Sequence, residues 1–460
     1  MKSTLDADSA SSYRPISNLS YISKLVERVV VRRFTNHVAN FNLFPVNQSA
    51  YRPFHSTETA VLSVHDRIVR SIDNNQVSAL VLLDLSAAFD TVDHEILLSV
   101  LSGRFGISGT ALDWFRSYLN GRTQTFTFAG NQTISYSLDC SVPQGSVLGP
   151  VKFIGYTEDI VEVFERHSLR SHLYADDTQL LDSCRVNEIS NVQARISYCT
   201  NEVAQWCRSR RLQLNDDKTE AIWFGSRSNL TKLSDVASSL TVGSATIQPS
   251  SVVRDLGVLL DEELSMKQHV NKVAATCFYQ LRRLRQIRRR VGQDVTIQLV
   301  MALVISRLDY CNSVLAALPL STLYQLQRVQ NAAARLVFEL RLRDHVTPAL
   351  IQLHWLPIRW RIQYKLCVLM YAVHNGQCPA YLSDIVLPAS QRQTRSGLRS
   401  TDSTNYVIPR LHTKFGERAF SYAGPAAWNS LPADLRATKE NAAFKRHLKT
   451  HLFSLAFGTV

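Results

Sequence analysis

The sequence predicts an α+β fold, in which a mixed region of helices and short strands precedes a mostly helical region. Short apolar runs between polar turns alternate with helical periodicity in residues 1–260. Residues 261–390 and 391–460 show helical periodicity almost throughout. A length of 460 residues with 45% hydrophobic residues is enough for two or three domains, so we place the domain boundaries at these positions.

Helices and strands alternate along residues 1–260. Apolar residues at helical spacing predict helices at 17–40, 57–74, 94–105, 111–120, 149 to about 166, and about 190–210. Strands are predicted as a buried run at 79–83, hairpins at 123–138 and 172–181, a strand pair of 212–215 with 220–224, and a single strand at 254–260. The run at 79–83 ends at the carboxylate of Asp84, which is a costly group to place at the end of a buried strand.

The second region is predicted to be helical and basic. Of the net charge of +13, residues 1–260 carry −2 and residues 261–460 carry +15. One helix is predicted to place Leu281, Leu284, Ile287 and Val291 on one side, with arginines around the rest, and another places Phe444, Leu448 and Leu452 inward. Residues 390–404 are predicted to be a linker or an exposed arm. This basic region indicates an anionic partner.

Several classes of protein are excluded at this stage. No apolar run approaches the 18 residues needed to span a bilayer, and residues 1–12 do not resemble a secretory signal. The eight cysteines are scattered without zinc-site spacing, which favours free thiols in a reducing compartment. We therefore expect a cytoplasmic or nuclear protein without membrane contact.

Carboxylates at two predicted strand ends indicate a metal site. Asp84 and the pair Asp176-Asp177 each follow or join a short apolar strand. Like charges at neighbouring strand ends repel each other, and a bound cation removes that cost. Oxygen ligands without nearby His or Cys favour Mg²⁺ or Mn²⁺, and two such ions can promote phosphoryl transfer. The alternative is that Asp84 caps a helix and the Asp pair is an ordinary polar turn.

The same carboxylates belong to motifs that occur in a known order. The motifs are Arg14-Pro-Ile-Ser, Gln48-Ser-Ala-Tyr-Arg52, Asp84-Leu-Ser-Ala-Ala-Phe-Asp90, Pro143-Gln144-Gly145-Ser-Val-Leu-Gly149-Pro150, Tyr174-Ala-Asp-Asp177, Leu214-Asn215 with Lys218-Thr-Glu220, and Leu256-Gly-Val258. In this order they resemble reverse transcriptases of non-LTR retrotransposons of the jockey and chicken-repeat type. The resemblance implies a right-hand polymerase, with fingers and an antiparallel palm sheet followed by a helical thumb and a C-terminal helical region. It also implies that the N-terminal part of the fingers is missing.

The resemblance implies roles for the matched residues. Asp84 and Asp176 would bind two Mg²⁺ or Mn²⁺ ions, with the backbone carbonyl of Leu85 as a further ligand and Asp177 in support. Phe89 would exclude the ribose 2′-hydroxyl, Gln144 and Gly145 would line the nascent base pair, Lys218 would protonate the pyrophosphate, and Arg14 and Arg52 would meet the triphosphate. Three alternatives stay open: Phe89 as a core aromatic, Lys218 as a solvated turn lysine, and Arg52 as a brace for a loop.

The function predicted in this way is RNA-directed DNA synthesis, with an RNA template, a DNA primer and deoxynucleoside triphosphates as partners. Arg282, Arg285 and Arg289 would contact phosphates of the template–primer duplex, unless they only solvate a helix face. Lys152 stands where the family usually has an apolar residue, and we expect its amine to reach solvent. The alternative function is that of a truncated, catalytically impaired relic that binds nucleic acid.

Overall fold

The computed structural model describes residues 16–86, 89–128, 131–234, 239–242, 245–391 and 404–458. The helices are α1 Tyr21–Phe41, α2 Thr57–Asp73, α3 His94–Gly103, α4 Gly109–Leu119, α5 Gly149–Tyr156, α6 Ile160–Arg166, α7 Ile189–Ser209, α8 Arg227–Ser234, α9 Lys267–Val300, α10 Ser306–Asp309, α11 Leu320–Phe338, α12 Thr347–Gln352, α13 Ile358–His374, α14 Ala380–Ser383, α15 Phe420–Asn429, α16 Ala433–Arg436 and α17 Asn441–Phe457. The strands are β1 Val77–Leu83, β2 Leu85–Ser86, β3 Thr123–Gln124, β4 Thr127–Phe128, β5 Asn131–Gln132, β6 Tyr136–Ser137, β7 Arg170–Tyr174, β8 Asp177–Cys184, β9 Gln213–Leu214, β10 Glu220–Phe224, β11 Leu240–Val242, β12 Ala245–Ile247, β13 Val252–Asp255 and β14 Val258–Asp261.

The first two helices form as the sequence predicts because each has a side-chain cap. The Ser20 side chain accepts a hydrogen bond from the backbone N–H of Ser23 at the start of α1. At the start of α2, Ser56 and Thr59 cap each other reciprocally. These bonds satisfy N–H groups that have no partner inside the helix.

The main sheet has four antiparallel strands in the order β10-β1-β8-β7. Strand β1 lies in the middle, and its side chains alternate between two apolar cores. Leu80 belongs to the core shared with α2 and the helical region, whereas Ala79 and Val81 belong to the core shared with α3 to α7. The sheet is therefore covered on both faces, which explains why β1 is apolar apart from Ser78.

The predicted pairing of 212–215 with 220–224 is wrong. Strand β9 pairs with β2, and β10 pairs with β1. A short 3₁₀ turn, Asp216–Lys218, separates the two strands and lies beside the gap between β1 and β2. Asp84 separates β1 from β2 along the chain. Because of this interruption, β10 pairs with the part before Asp84 and β9 pairs with the part after it.

Two further element predictions need correction. The single strand predicted at 254–260 is the hairpin of β13 and β14, because Leu256 and Gly257 both have positive φ angles (42° and 89°) and form a two-residue turn. The single helix predicted at 149–166 consists of α5 and α6. It breaks where Glu158 and Asp159 bind arginines from two different segments, Arg104 and Arg210.

One apolar core crosses the predicted domain boundaries near residues 260 and 390. It includes residues of α2, of β13 and β14, of α9 to α13 and of α15 to α17. Phe444, Leu448 and Leu452 are fully buried in it, as predicted. The three-domain division stays a prediction, and the helical region packs directly on the sheet through α2.

Helix α9 differs in part from its prediction. Leu281 and Leu284 are buried, but Ile287 is 38% exposed. The helix kinks at Gly292, whose backbone has a φ of 70°, so the apolar side does not continue straight.

Two findings bear on the expectations about a membrane span and about Lys152, and the second is a correction. Within the described part of the chain, the stretch Lys267–Asp309 is long and apolar enough to cross a membrane by length and composition alone, a test that core helices of soluble proteins also pass. Lys152 is only 2% exposed, so its amine does not reach solvent.

Candidate active site

Asp84 lies in the gap between β1 and β2, beside the turn that carries Lys218. The backbone N–H of Asn215 donates to the carbonyl of Asp84 over 2.9 Å. The Asn215 amide and the Lys218 ammonium both donate to Asp84 Oδ2, at 3.2 and 3.1 Å. The Asp84 side chain remains 27% exposed, so one of its oxygens is held by protein groups while the carboxylate stays accessible.

Asp176 and Asp177 lie at the tip of the hairpin of β7 and β8, as predicted. Tyr174 pairs with Asp177, so Ala175 and Asp176 form a two-residue turn. Ala175 has a φ of 57°, which is uncommon for a residue with a side chain. The pairing of Leu83 with Thr178 places Asp84 and Asp177 at the adjacent ends of neighbouring strands.

A buried glutamine holds this turn in place. Gln48 Oε1 accepts hydrogen bonds from the backbone N–H groups of Ala175 and Ala50, at 3.2 and 3.0 Å. The backbone around Gln48 also pairs with Leu173 in β7. The contacts of Gln48 stabilise the uncommon backbone conformation of Ala175 and fix the hairpin tip.

The carboxylates of Asp84 and Asp176 are close enough to affect the ionisation of Asp177. Burial, and then the charges of Asp176 and Asp84, raise the pKa of Asp177 to about 6. A cation bound among these groups would remove the repulsion. The Lys218 ammonium supplies a positive charge beside Asp84.

A second carboxyl lies behind the first set. Asp255 in β13 is 2% exposed and accepts a hydrogen bond from the side-chain amide of Gln179 in β8. Its other oxygen has no hydrogen-bond partner in the described part of the chain. Burial, and to a lesser extent the charge of Asp177, raises the pKa of Asp255 to about 7, so this side chain is protonated below neutral pH.

Asp255→Asn is expected to remove a pH dependence of stability. A raised carboxyl pKa stabilises the folded protein at low pH, and this stabilisation is lost as the pH rises through about 7. Between pH 5.5 and 8.5, wild type should lose roughly 2 kcal/mol more unfolding free energy than the variant. Urea unfolding with EDTA at both pH values measures this. If the unfolding free energies of the two proteins differ by the same amount at both pH values, Asp255 does not have a raised pKa.

Asp84, Asp177 and Lys218 open into one cavity of about 540 Å³. Its other lining residues are Thr57, Leu82, Leu83, Tyr174, Thr178, Gln179, Glu220, Arg254, Asp255, Leu256, Gly257 and Tyr310. The Tyr310 hydroxyl donates to the carbonyl of Leu256 over 2.7 Å, so the helical region closes one side of the cavity. Sequence reasoning missed Tyr310, because nothing local links residue 310 to the sheet.

The residues described here contain no group of three His, Cys, Asp or Glu side chains arranged to hold a metal ion. The donor chemistry nevertheless fits a hard divalent cation. All the candidate ligands are oxygen atoms. Burial is the main cause of the raised pKa of Asp177, and the charges of Asp176 and Asp84, which raise it further, are charges that such a cation would neutralise. Leu85, expected as a backbone ligand, begins β2 and pairs with Leu214.

The predicted nucleotide-contacting residues lie in different environments. Phe89 is half-buried, with its ring centroid 4.6 Å from that of Phe153. Gly145 has a φ of 104°, in the region that favours glycine, and the carbonyl of Gln144 accepts the N–H of Ser17 at 2.8 Å. The glycine thus lets the backbone turn at the position expected to face the base pair.

The two arginines expected at the triphosphate differ. Arg52 Nη1 donates to the carbonyls of Pro45 and Gln48, at 2.6 and 3.0 Å, so Arg52 braces the loop before α2. Arg14 lies outside the described residues. The contact of either arginine with substrate therefore stays a prediction.

The predicted nucleic-acid-binding arginines are accessible. Arg282, Arg285 and Arg289 are all exposed on α9. By contrast, the neighbouring Arg288 donates to the carbonyls of Leu336 and Val337 at the end of α11. Arg288 therefore has a structural role, and the three exposed arginines remain available for a ligand.

Comparisons with known proteins agree with the order of the motifs. The sequence profile described as "Reverse transcriptase (RNA-dependent DNA polymerase)" matches residues 2–259, more than half of the chain. The chain is 29% identical over 289 residues to the probable RNA-directed DNA polymerase from transposon BS of Drosophila melanogaster, covering 62% of this chain and 31% of that protein. It is 25% identical over 278 residues to the RNA-directed DNA polymerase from mobile element jockey of the same organism, covering 59% and 29%. The chain thus spans less than a third of the length of these relatives.

Among solved structures, apo telomerase from Candida tropicalis aligns with a TM-score of 0.40 at 11% identity, covering 71% of this chain and 50% of that one. Telomerase from Candida albicans with a fragment of telomeric RNA aligns with a TM-score of 0.34 at 13% identity, covering 75% and 56%. The predicted resemblance to jockey-type elements is confirmed by the relatives, and the right-hand polymerase fold by the profile. Because that profile matches more than half of the chain, the chain belongs to the reverse transcriptase (RNA-dependent DNA polymerase) family.

Proposed function

We propose that this chain extends a DNA 3′-end on an RNA template, using deoxynucleoside triphosphates. One observation carries the proposal. The family's acidic motifs lie at adjacent ends of β1 and β8, where Asp84 and Asp177 share a cavity with Lys218. The relatives from transposon BS and mobile element jockey, which are named as RNA-directed DNA polymerases, support the same activity.

We assign the metal ligands to the ends of these strands. Asp84 and Asp176 would hold two Mg²⁺ or Mn²⁺ ions through their side chains, with Leu85 contributing its backbone carbonyl and Asp177 in support. Such ions activate an attacking hydroxyl and stabilise a leaving phosphate. Asn215 orients Asp84 through one hydrogen bond to its carboxylate and one to its backbone carbonyl, and Gln48 orients the turn that carries Asp176.

Lys218 is proposed to protonate the departing pyrophosphate. Its side chain is 66% exposed and its ammonium contacts the Asp84 carboxylate, so the ammonium can turn towards a substrate in the cavity. A lysine within reach of the leaving oxygen can act as a general acid. The short 3₁₀ turn that ends at Lys218 fixes the starting point of this side chain.

Substrate selection is proposed to involve the loop before α5 and the aromatic residue after Asp84. Gln144 and Gly145 would line the nascent base pair, where the positive φ of Gly145 brings the backbone close. Phe89 would exclude the ribose 2′-hydroxyl, and Arg14 and Arg52 would meet the triphosphate. We also propose that the protein works in the cytoplasm or the nucleus, without binding membranes.

Primer extension tests the proposed function. The full chain is given an RNA template, a DNA primer, deoxynucleoside triphosphates and Mg²⁺, with EDTA as the control. Extension that depends on the template and the metal supports the activity. Binding of the duplex without extension would instead support the alternative of a catalytically impaired nucleic-acid-binding relic.

The basic helical region is proposed to supply most of the duplex affinity. Replacing Arg282, Arg285 and Arg289 with glutamine should weaken binding to all duplex sequences alike, because phosphate contacts carry no sequence information. The slope of log K against log salt should become shallower by about 0.9 per lost contact. Fluorescence anisotropy at several salt concentrations measures both effects.

A matched control replaces three exposed basic residues of α17, namely Lys445, Arg446 and Lys449. If only the control variant changes the salt slope, the duplex contact lies on α17. If neither variant changes the salt slope, Arg282, Arg285 and Arg289 only form a solvent-exposed face of α9 and do not contact the duplex.

A further inference from the structure

Helix α1 carries one buried acidic residue that the proposed mechanism does not use. Glu27 is 1% exposed and lies on the same face as Phe34 and Val38, the other buried residues of the helix. An isolated carboxylate in such a place is costly, so its contacts need an explanation. The sequence carried a signal for it, because residues 27, 34 and 38 follow helical spacing along one side.

The contacts of Glu27 reach across the fold to the loop before α5. Its Oε2 accepts hydrogen bonds from the backbone N–H groups of Val147 and Leu148, at 2.6 and 3.1 Å. Its Oε1 accepts from the hydroxyls of Ser23 and Tyr118, both at 3.2 Å. Four donors therefore converge on one carboxylate.

The N–H of Leu148 is one of those that a helix start leaves unsatisfied, and the N–H of Val147 belongs to the residue before it. Leu148 is the residue that precedes α5, and its own side chain cannot cap the helix. Glu27 satisfies these N–H groups from another helix, and its negative charge lies at the positive end of the α5 dipole. The loop conformation thus depends on a residue about 120 positions earlier in the chain.

The same N-terminal segment holds the loop at a second point. The N–H of Ser17 donates to the carbonyl of Gln144 over 2.8 Å. A side chain at Gly145 would place its Cβ 3.3 Å from the carbonyl oxygen of Ser17, so the two segments are in close contact. Residues 17–27 therefore hold the loop on both sides of Gly145.

Lys152, one turn into α5, completes the buried cluster. Its amine lies 3.7 Å from the centre of the Tyr118 ring and has no hydrogen-bond partner in the described part of the chain. Burial, with a smaller effect of Arg122, holds the pKa of Lys152 well below its usual value, and the nearby Glu27 carboxylate opposes this shift. Neutralising Glu27 alone would thus leave Lys152 without its compensating charge.

We propose that Glu27 is a positioning residue, which sets the shape of the loop that carries Gln144 and Gly145 and thereby the fit of the incoming nucleotide. This inference rests on the proposed function, in which that loop lines the nascent base pair. Glu27 itself touches no substrate and acts only through the backbone of Val147 and Leu148.

The kinetic test uses Glu27→Gln in the full chain. The variant keeps the size of the side chain but weakens the bonds to the two N–H groups, because an amide is a poorer acceptor than a carboxylate and one of its ends is a donor. We expect KM for the correct nucleotide to rise about tenfold and misincorporation to increase, while kcat changes much less. A purely structural role would lower the amount of active enzyme and leave KM unchanged.

Two further variants separate positioning from stability. Glu158→Gln is the matched control, since Glu158 is also a buried glutamate but binds Arg104 rather than the loop, and its KM should stay at the wild-type value. The double variant Glu27→Gln with Lys152→Met removes both buried ionisable groups and should restore stability. A raised KM in the stable double variant supports the proposal, and a wild-type KM there overturns it.

Hydrogen exchange gives a readout that does not need activity. In Glu27→Gln, a peptide covering residues 143–150 should exchange faster than in wild type, with no matching change in the hairpin of β7 and β8. Unchanged exchange would overturn the proposed role of Glu27. If wild type itself fails to extend primers, the proposed function fails, and the exchange result alone then decides whether Glu27 holds the loop.

Discussion

Asp84→Asn is expected to lower the rate of primer extension by about 1,000-fold or more without unfolding the protein. The change removes one negative charge from the proposed metal site, and the lost stabilisation of several kcal/mol corresponds to a loss of this size. Asparagine has the shape of aspartate, and its oxygen can still accept from Asn215, so the turn beside it should persist. Single-turnover extension and thermal unfolding measure the two effects.

The neighbouring carboxylates refine this expectation. Asp176→Asn should lose as much activity as Asp84→Asn, whereas Asp177→Asn should lose less because its role is supportive. Asp182 lies in β8, as Asp177 does, but it binds Arg195. The variant Asp182→Asn is therefore the matched control and should keep near-wild-type activity. Near-wild-type extension by the Asp84 or Asp176 variant would exclude the proposed metal ligands.

Phe89→Val is expected to lower the preference for deoxyribonucleotides over ribonucleotides by up to about 100-fold. An apolar side chain discriminates against an added hydroxyl group by about this factor, and the smaller valine leaves room for the 2′-hydroxyl. Extension with deoxyribonucleotides should continue, because no proposed metal ligand changes. The ratio of kcat/KM values for the two nucleotide types measures the effect.

The structure also offers a competing role for Phe89, because its ring packs on that of Phe153. If Phe89 only fills the core, the substitution should destabilise the protein by about 1–3 kcal/mol and leave the sugar preference unchanged. Phe153→Leu is the control. It removes the supporting ring but keeps Phe89, so it should reduce selectivity only if Phe153 holds Phe89 in place.

Local patterns predicted the elements and the chemistry of the site. The bounds of α2 and of the hairpin carrying Asp176 and Asp177 agree closely with the predictions, because capping and alternation depend on residues a few positions apart. Asp84, Asp177 and Lys218 were singled out from the sequence, and they share one cavity. The resemblance between ordered motifs, confirmed by the family profile, supplied the rest.

Other predictions failed where the answer depended on distant neighbours. The partner of β9 is β2, which lies more than 120 residues earlier, and no local pattern selects it over β10. The break between α5 and α6 likewise depends on Arg104 and Arg210, which bind successive acids in different directions.

By itself, the sequence determined the order of the elements, the nearly neutral first region and the basic second region, the motif residues and the family. Only the tertiary structure decided which buried polar groups meet: Gln48 with the Ala175 turn, Asp255 with Gln179, and Glu27 with the loop before α5. The physical reason is that burial removes water as a hydrogen-bond partner, so each of these groups must find one within the protein. Which partner it finds depends on how helices and strands pack together, and periodicity along the chain does not contain that information.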